Sequence, residues 1–265
     1  MTSLGFIGAG NMGGALIRGW AAEQGLRLTA YDSDQERLQA LARESGVQAL
    51  DSAQEVVQDS DYVVLAVKPS MAGKVLQETA DLFQSTQVVV SIAAGVCMER
   101  LSQAVQNACP VVRVMPNTPA LIGSGVFAVC FPDSGLEEEK QEFLLGLFSS
   151  LGRVHQLQEK DMDAFTALIG SGPAYVFHFL QSLVQAGVSL GFTREQSKDM
   201  VLGLVQGSVH MAEEGQEPLA ELLERVCSPA GTTIQGINHL ERTAVRSAVI
   251  DAVQAAWQRS RELNG

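Results

Sequence analysis

The sequence predicts an α/β protein, with a doubly wound, mostly parallel sheet over residues 1–158 and an all-helical domain over residues 159–265. Three observations predict it. An apolar run near the N-terminus ends directly in Gly8-x-Gly10-x-x-Gly13, and a helical pattern follows at once: Ala15, Leu16, Ile17, Trp20, Ala21. Apolar runs then alternate with helical periodicity, and those at 62–67 and 88–92 are continuous, as in strands covered on both faces. Beyond residue 159 no convincing strand remains.

The glycine motif reads as strand 3–8, tight turn and helix 11–24. Gly8 permits the sharp turn, Gly10 lets the backbone approach a pyrophosphate, and Gly13 lets the helix pack close to the strand. Ala9, Asn11 and Met12 complete a loop whose free N–H groups, with the helix dipole, bind phosphates. The unit is therefore of Rossmann type, with a dinucleotide as its ligand. Strand 26–31 ends at Asp32, 19 residues past Gly13, where a carboxylate holds the adenosine ribose hydroxyls. A carboxylate there repels a 2′-phosphate and leans towards NAD, while Arg37 or a rotated loop can still accept NADP. Asp32, Ser33 or Asp34 also suits the N-cap of helix 34–45, and both roles can coexist.

Strands 47–49, 61–66, 87–92, 110–115, 125–131 and 153–157, with helices 52–58, 70–83, 97–106 and 136–150, complete the first domain. Ligands of open α/β sheets bind beyond the carboxyl ends of the strands. The loops there are 8–13, Lys68-Pro69, Ala93-Ala94-Gly95 and Pro116-Asn117-Thr118-Pro119, with Lys68 their sole cation. It either contacts the cofactor or leans over the loop.

In the second domain the apolar stretch 164–190 is broken by Gly170, Gly172, Pro173, His178 and Gln181, so it reads as a buried core helix and not a membrane span. Pro173 suits a first helical turn, with Ser171 or Gly172 as cap. Thr193-Arg194-Glu195-Gln196 makes a capping box for a helix to Glu214, and helices at 219–226, from Thr233, and at 243–263 follow. The segment 174–188 is apolar nearly all round, more than this domain alone can cover, which points to a partner subunit.

The chain has 265 residues, 46% hydrophobic and 18% charged, as in an ordinary globular protein. A net charge of −12 argues against nucleic acid and anionic membranes as partners. Cys97, Cys109, Cys130 and Cys227 form no Cys-x-x-Cys pair and no zinc-spaced cluster; they read as reduced thiols of a cytoplasmic protein with no metal. The first strand begins near Ser3, and no cleaved leader is expected.

No histidine or lysine general base paired with a carboxylate can be assembled. His155, His178, His210 and His239 read as packing or surface residues, and Lys160 and Lys198 as solvated. Oxidising an alcohol requires such a base. Reducing an imine does not: a protonated iminium is already electrophilic, and the protein need only orient the ring, donate a hydrogen bond and place the hydride donor. The loop Ser228-Pro229-Ala230-Gly231-Thr232-Thr233 precedes a helix, so its N–H groups can hold a carboxylate and its hydroxyls can reach a substrate nitrogen. By composition alone, an N-cap and nothing more is the favoured reading.

These residues resemble the pyrroline-5-carboxylate reductase family end to end. The markers are Phe6-Ile7-Gly8-Ala9-Gly10-Asn11-Met12, Ala66-Val67-Lys68-Pro69, Ser91-Ile92-Ala93-Ala94-Gly95 and Arg113-Val114-Met115-Pro116-Asn117-Thr118-Pro119. Gly170-Ser171-Gly172-Pro173-Ala174-Tyr175-Val176 and Ser228-Pro229-Ala230-Gly231-Thr232-Thr233-Ile234 complete them and are the most specific. The resemblance implies reduction of 1-pyrroline-5-carboxylate to proline by NADP- or NAD-borne hydride. It implies a helical dimerisation domain interlaced with a second subunit, in a homodimer or a larger assembly. The cofactor would be held by Gly8, Ala9, Gly10, Asn11, Met12, Gly13, Asp32, Ala66, Val67, Lys68, Pro69, Ala93, Ala94 and Asn117. The substrate would be held by Ser228, Ala230, Gly231, Thr232 and Thr233, with Thr233 as the catalytic residue near the ring nitrogen. Three departures stand out. Ala230 replaces the first of two glycines, and its methyl group crowds the substrate or shifts the loop if φ is positive. The stretch 218–228 is a residue longer than usual, and many members that favour NADP lack an acid at the place of Asp32. The alternatives are a reductase of the same architecture for another imine or a β-hydroxyacid, or a non-catalytic NAD(P)-binding sensor. A hydroxyacid enzyme would carry a lysine within 161–190, where this chain has none.

Overall fold

β1 (Thr2–Ile7) is the apolar run before the glycine motif, and all but its first residue are buried. The computed structural model describes every residue except Ser134, Gln216 and Gly265, and only the backbone of Asn264. After β1 come α1 (Asn11–Trp20), β2 (Leu26–Tyr31), α2 (Gln35–Ser45), β3 (Gln48–Ala49), α3 (Ala53–Gln58) and β4 (Tyr62–Leu65). Then follow α4 (Pro69–Thr79), β5 (Val88–Ser91), α5 (Met98–Ala104), β6 (Val111–Met115), β7 (Gly125–Cys130), α6 (Glu138–Ser149) and β8 (Gly152–Gln156).

The strands make one eight-stranded sheet in the order β3-β2-β1-β4-β5-β6-β7-β8. All neighbours are parallel except β6 and β7. The continuous apolar runs are the central strands, buried on both faces. One face packs Phe6, Trp20, Phe127 and Phe148; the other packs Ile7, Val63, Leu65 and Val89. Trp20 meets Phe148 edge-on at 5.1 Å, and its Nε1–H donates to the Leu147 carbonyl at 2.9 Å, so its polar atom is satisfied within the core. Register then positions the site. Ile7 lies opposite Tyr31 on one side and Leu65 on the other, so Gly8, Asp32 and Ala66 emerge together at one end of the sheet.

Helices extend through the remainder: α7 (Met162–Phe165), a π-helical turn (Thr166–Gly170), α8 (Gly172–Ser189), α9 (Arg194–Glu214), α10 (Leu219–Val226), α11 (Thr232–Arg242) and α12 (Val245–Asn264). The packing divides the chain into two compact units, Met1–Ser171 with Ala256–Gly265, and Gly172–Ala255. Strands thus end at β8, whereas the change in packing comes later. Met162 and Phe165 are still buried with Ala128 and Cys130 of the sheet. The π-turn has a local cause. Pro173 carries no N–H and its ring clashes with the carbonyl four residues back, at Ile169. The wider turn relieves this, with the Ser171 N–H reaching the Thr166 carbonyl at 2.9 Å.

In the second unit the predicted capping box of α9 is present, with Thr193 and Gln196 each bonded to the other's backbone N–H. The expected burial of the helix within 164–190 needs correction. No residue of α8 is buried within one chain, and Phe177 remains 64% exposed, because the other helices of this unit leave much of its surface uncovered. Among the described residues no helix is long and apolar enough to cross a membrane.

Candidate active site

There are two candidate binding regions, a cradle in the first unit and a loop in the second. In the cradle, Gly8 adopts φ +104°, and a side chain there would stand 2.6 Å from the Ala66 carbonyl oxygen. A Cβ on Gly13 would collide with the carbonyl of Gly8, so this glycine lets α1 press against the end of β1. Gly10 differs: a Cβ there would meet nothing within 4 Å, which leaves an open face. It is also the N-cap of α1, with no side-chain cap and no acid in the first turn. The N–H groups of Asn11, Met12 and Gly13 therefore have no intrahelical or capping partner. Open space bounded by three free donors at the positive end of a helix suits a pyrophosphate.

Asp32 is buried beside this loop. Its Oδ2 accepts the Ala9 N–H at 2.6 Å, and its Oδ1 accepts the Asp34 N–H and the Arg37 guanidinium, both at 2.8 Å. Burial pushes the carboxyl group up, but the Asp34 and Ala9 amides and Arg37 outweigh it and hold it below the ordinary carboxylate value. The N-cap of α2 is Asp34, which accepts the Arg37 N–H at 3.0 Å. Asp32 is thus free of capping and braces the glycine loop.

The other predicted cofactor residues lie at the ends of β4, β5 and β6. Ala66 and Val67 are half-buried, and Lys68 is exposed at the N-cap of α4, followed by Pro69. Ala93 is buried, Ala94 half-buried. Asn117 is buried, and its Oδ1 accepts the Val126 N–H at 2.9 Å, so its side-chain carbonyl ties β7 to the preceding loop.

In the second unit, the Gly231 N–H closes onto the Ser228 carbonyl at 3.0 Å. Pro229 is the second residue of this turn, and Ala230 the third, with φ +58°. This is the position of a type II turn that favours glycine. The φ on which the effect of Ala230 depends is therefore positive. Gly231 is the N-cap of α11, which has no side-chain cap and no acid in its first turn. The helix starts at Thr232, one residue earlier than expected, and the N–H groups of Thr232, Thr233 and Ile234 lack intrahelical partners. Thr233 is half-buried and Thr232 exposed.

Over 271 aligned residues, covering 99% of each chain, the sequence is 38% identical to the pyrroline-5-carboxylate reductase of Corynebacterium melassecola. The chain belongs to the pyrroline-5-carboxylate reductase family. The enzyme of that name from Escherichia coli is 36% identical, with 98% of both chains covered. Among solved structures, the Plasmodium falciparum pyrroline carboxylate reductase with NADP bound matches with a TM-score of 0.91 at 34% identity, over 100% of this chain and 98% of that one. Residues 159–263 match the model described as pyrroline-5-carboxylate reductase dimerisation, and residues 3–95 that described as NADP oxidoreductase, coenzyme F420-dependent.

Sequence reasoning missed one long-range pairing near the strand ends. Arg113, in the middle of β6 and 3% exposed at its side chain, donates to Glu159 Oε1 at 2.7 Å. The same oxygen accepts the Met98 N–H at 3.2 Å, at the start of α5 and just beyond the Ala93-Ala94 loop. A lone charge within the apolar run Val111–Met115 was the available clue; its partner lies 46 positions away. Nearby Cys130 is no nucleophile, since burial and the Glu159 carboxylate push its thiol up to about 12.

Proposed function

We propose that this protein reduces 1-pyrroline-5-carboxylate to L-proline, as an NAD(P)-dependent oxidoreductase acting on a C=N bond. One observation carries the reading beyond family membership: α1 and α11 each start from a glycine N-cap, Gly10 and Gly231, with no side-chain cap and no acid in the first turn. One suits a pyrophosphate and the other a carboxylate.

Residues 8–13, braced by Asp32, hold the dinucleotide phosphates, with Ala66, Val67, Lys68, Pro69, Ala93, Ala94 and Asn117 along the strand ends. Bound there, NADPH or NADH supplies a hydride from C4 of its nicotinamide. Ser228, Ala230, Gly231, Thr232 and Thr233 form the substrate loop, whose free N–H groups hold the ring carboxylate. The Thr233 hydroxyl accepts the iminium N–H and orients the ring. Hydride adds to the ring carbon of C=N, and the electron pair of the π bond settles on nitrogen, giving the amine with no further proton transfer. This accounts for a site without a general base.

The ionised Asp32 leans the ribose end towards NADH. The assembly is a homodimer built through the helical unit, extending to higher oligomers, with the functional division at residues 158/159. Free cysteines at all four positions fit a reducing cytoplasm. The test is loss of nicotinamide absorbance with pyrroline-5-carboxylate, NADH and NADPH side by side. Consumption of either supports the reaction. No consumption by a folded protein that binds dinucleotide overturns it.

A further inference from the structure

The end of the cradle beside Asp32 carries a cation to which the reaction assigns no task. Arg37, in the first turn of α2, sets Nη2 2.8 Å from Asp32 Oδ1 and Nη1 3.4 Å from Asp34 Oδ2. The partners differ in freedom: the Asp32 side chain is 8% exposed, and that of Arg37 48%. Asp32 is also fixed from behind, since its second oxygen holds the Ala9 amide. The guanidinium can therefore pivot, whereas the carboxylate cannot. Nη1 and Nη2 face the carboxylates, while about half of the side chain stays open to solvent.

Taking the glycine loop as a dinucleotide cradle, on which this inference rests, we propose that Arg37 is the specificity-determining residue that admits a 2′-phosphate, so that the chain accepts NADPH as well as NADH despite Asp32. A fixed carboxylate at the ribose edge repels a phosphate dianion. The paired guanidinium offsets that charge, and its planar fork matches phosphate oxygens two at a time. A lysine at the same place would offer a point charge without the fork. Exposed Ser33, between the two acids, leaves room for the group to approach. Tolerance of the 2′-phosphate then rests on the mobile Arg37, while Asp32 leans the ribose end towards NADH and also holds the loop for both cofactors.

The experiment measures binding of NADPH and NADH by nicotinamide fluorescence, without substrate, to the wild-type chain, Arg37→Ala and Arg37→Lys. In Arg37→Ala the ratio of the NADPH Kd to the NADH Kd should rise roughly tenfold, the size of one charged hydrogen bond. Arg37→Lys should rise less. Equal weakening of both dinucleotides, or an unchanged ratio, overturns the role of Arg37. Failure of the wild-type chain to bind either dinucleotide overturns the cradle reading itself, and this inference with it.

Discussion

The Ala9 amide donates to the Asp32 carboxylate across 2.6 Å, which ties the glycine loop after β1 to the end of β2. A charge-assisted bond thus fixes the position of the loop.

Asp32→Asn should therefore weaken NADH by about threefold to tenfold and NADPH by less, since the repulsion of a 2′-phosphate is lost with the charge, as measured by dinucleotide binding. A change in preference without loss of both would show that Asp32 acts on the ribose alone.

The same residue sets a pH dependence. Its folded pKa lies below the unfolded value, so its stabilising contribution is present above about pH 4 and fades as pH falls through the folded value. Acid titration followed by circular dichroism should show less loss of stability below pH ~4 in Asp32→Asn than in the wild type.

Thr233→Ala should lower kcat/KM by about tenfold to thirtyfold, the cost of one hydrogen bond to a charged group. Dinucleotide affinity should stay near wild type. If it collapsed with turnover, Thr233 would belong to the fold of the loop and not to the ring nitrogen.

Ala230 holds φ +58° in a turn closed by Ser228 and Gly231. Ala230→Gly removes a Cβ penalty of about 1–2 kcal/mol and adds unfolded-state entropy worth about 0.5–1 kcal/mol. The urea midpoint should rise slightly. A fall would show that the alanine sits there without strain.

Phe177 projects from α8 with 64% of its surface exposed. On the proposed homodimer through the helical unit, Phe177→Asp should shift sedimentation towards the single chain, since it would leave a charge desolvated in that contact. An unchanged assembly would move the subunit contact off this face of α8.

Much of this was legible in the sequence because the informative residues are neighbours. The glycine spacing, the continuous apolar strands and the Thr193 capping box are each written within a few positions. What escaped depends on pairs brought together by strand order. Arg113 meets Glu159, and Ser3 meets Asp61 across 58 positions. Asn117 was visible as a loop polar residue, but its bond to Val126 needed the antiparallel return of β7. At Pro173 the local rule predicted a helix start correctly, while the π-turn before it follows from a clash with a carbonyl that only three-dimensional geometry supplies.

The first unit is discontinuous along the chain: Ala256–Gly265 rejoins it, and Ser260 Oγ donates to Asp163 Oδ1 at 2.8 Å across 97 positions. During synthesis the sheet and its helices are made well before this piece exists. Closing so long a loop costs entropy that no local contact repays in advance. The last helical turns of this unit therefore emerge after the rest of it, and the Asp163–Ser260 bond can form only after every intervening helix has been translated.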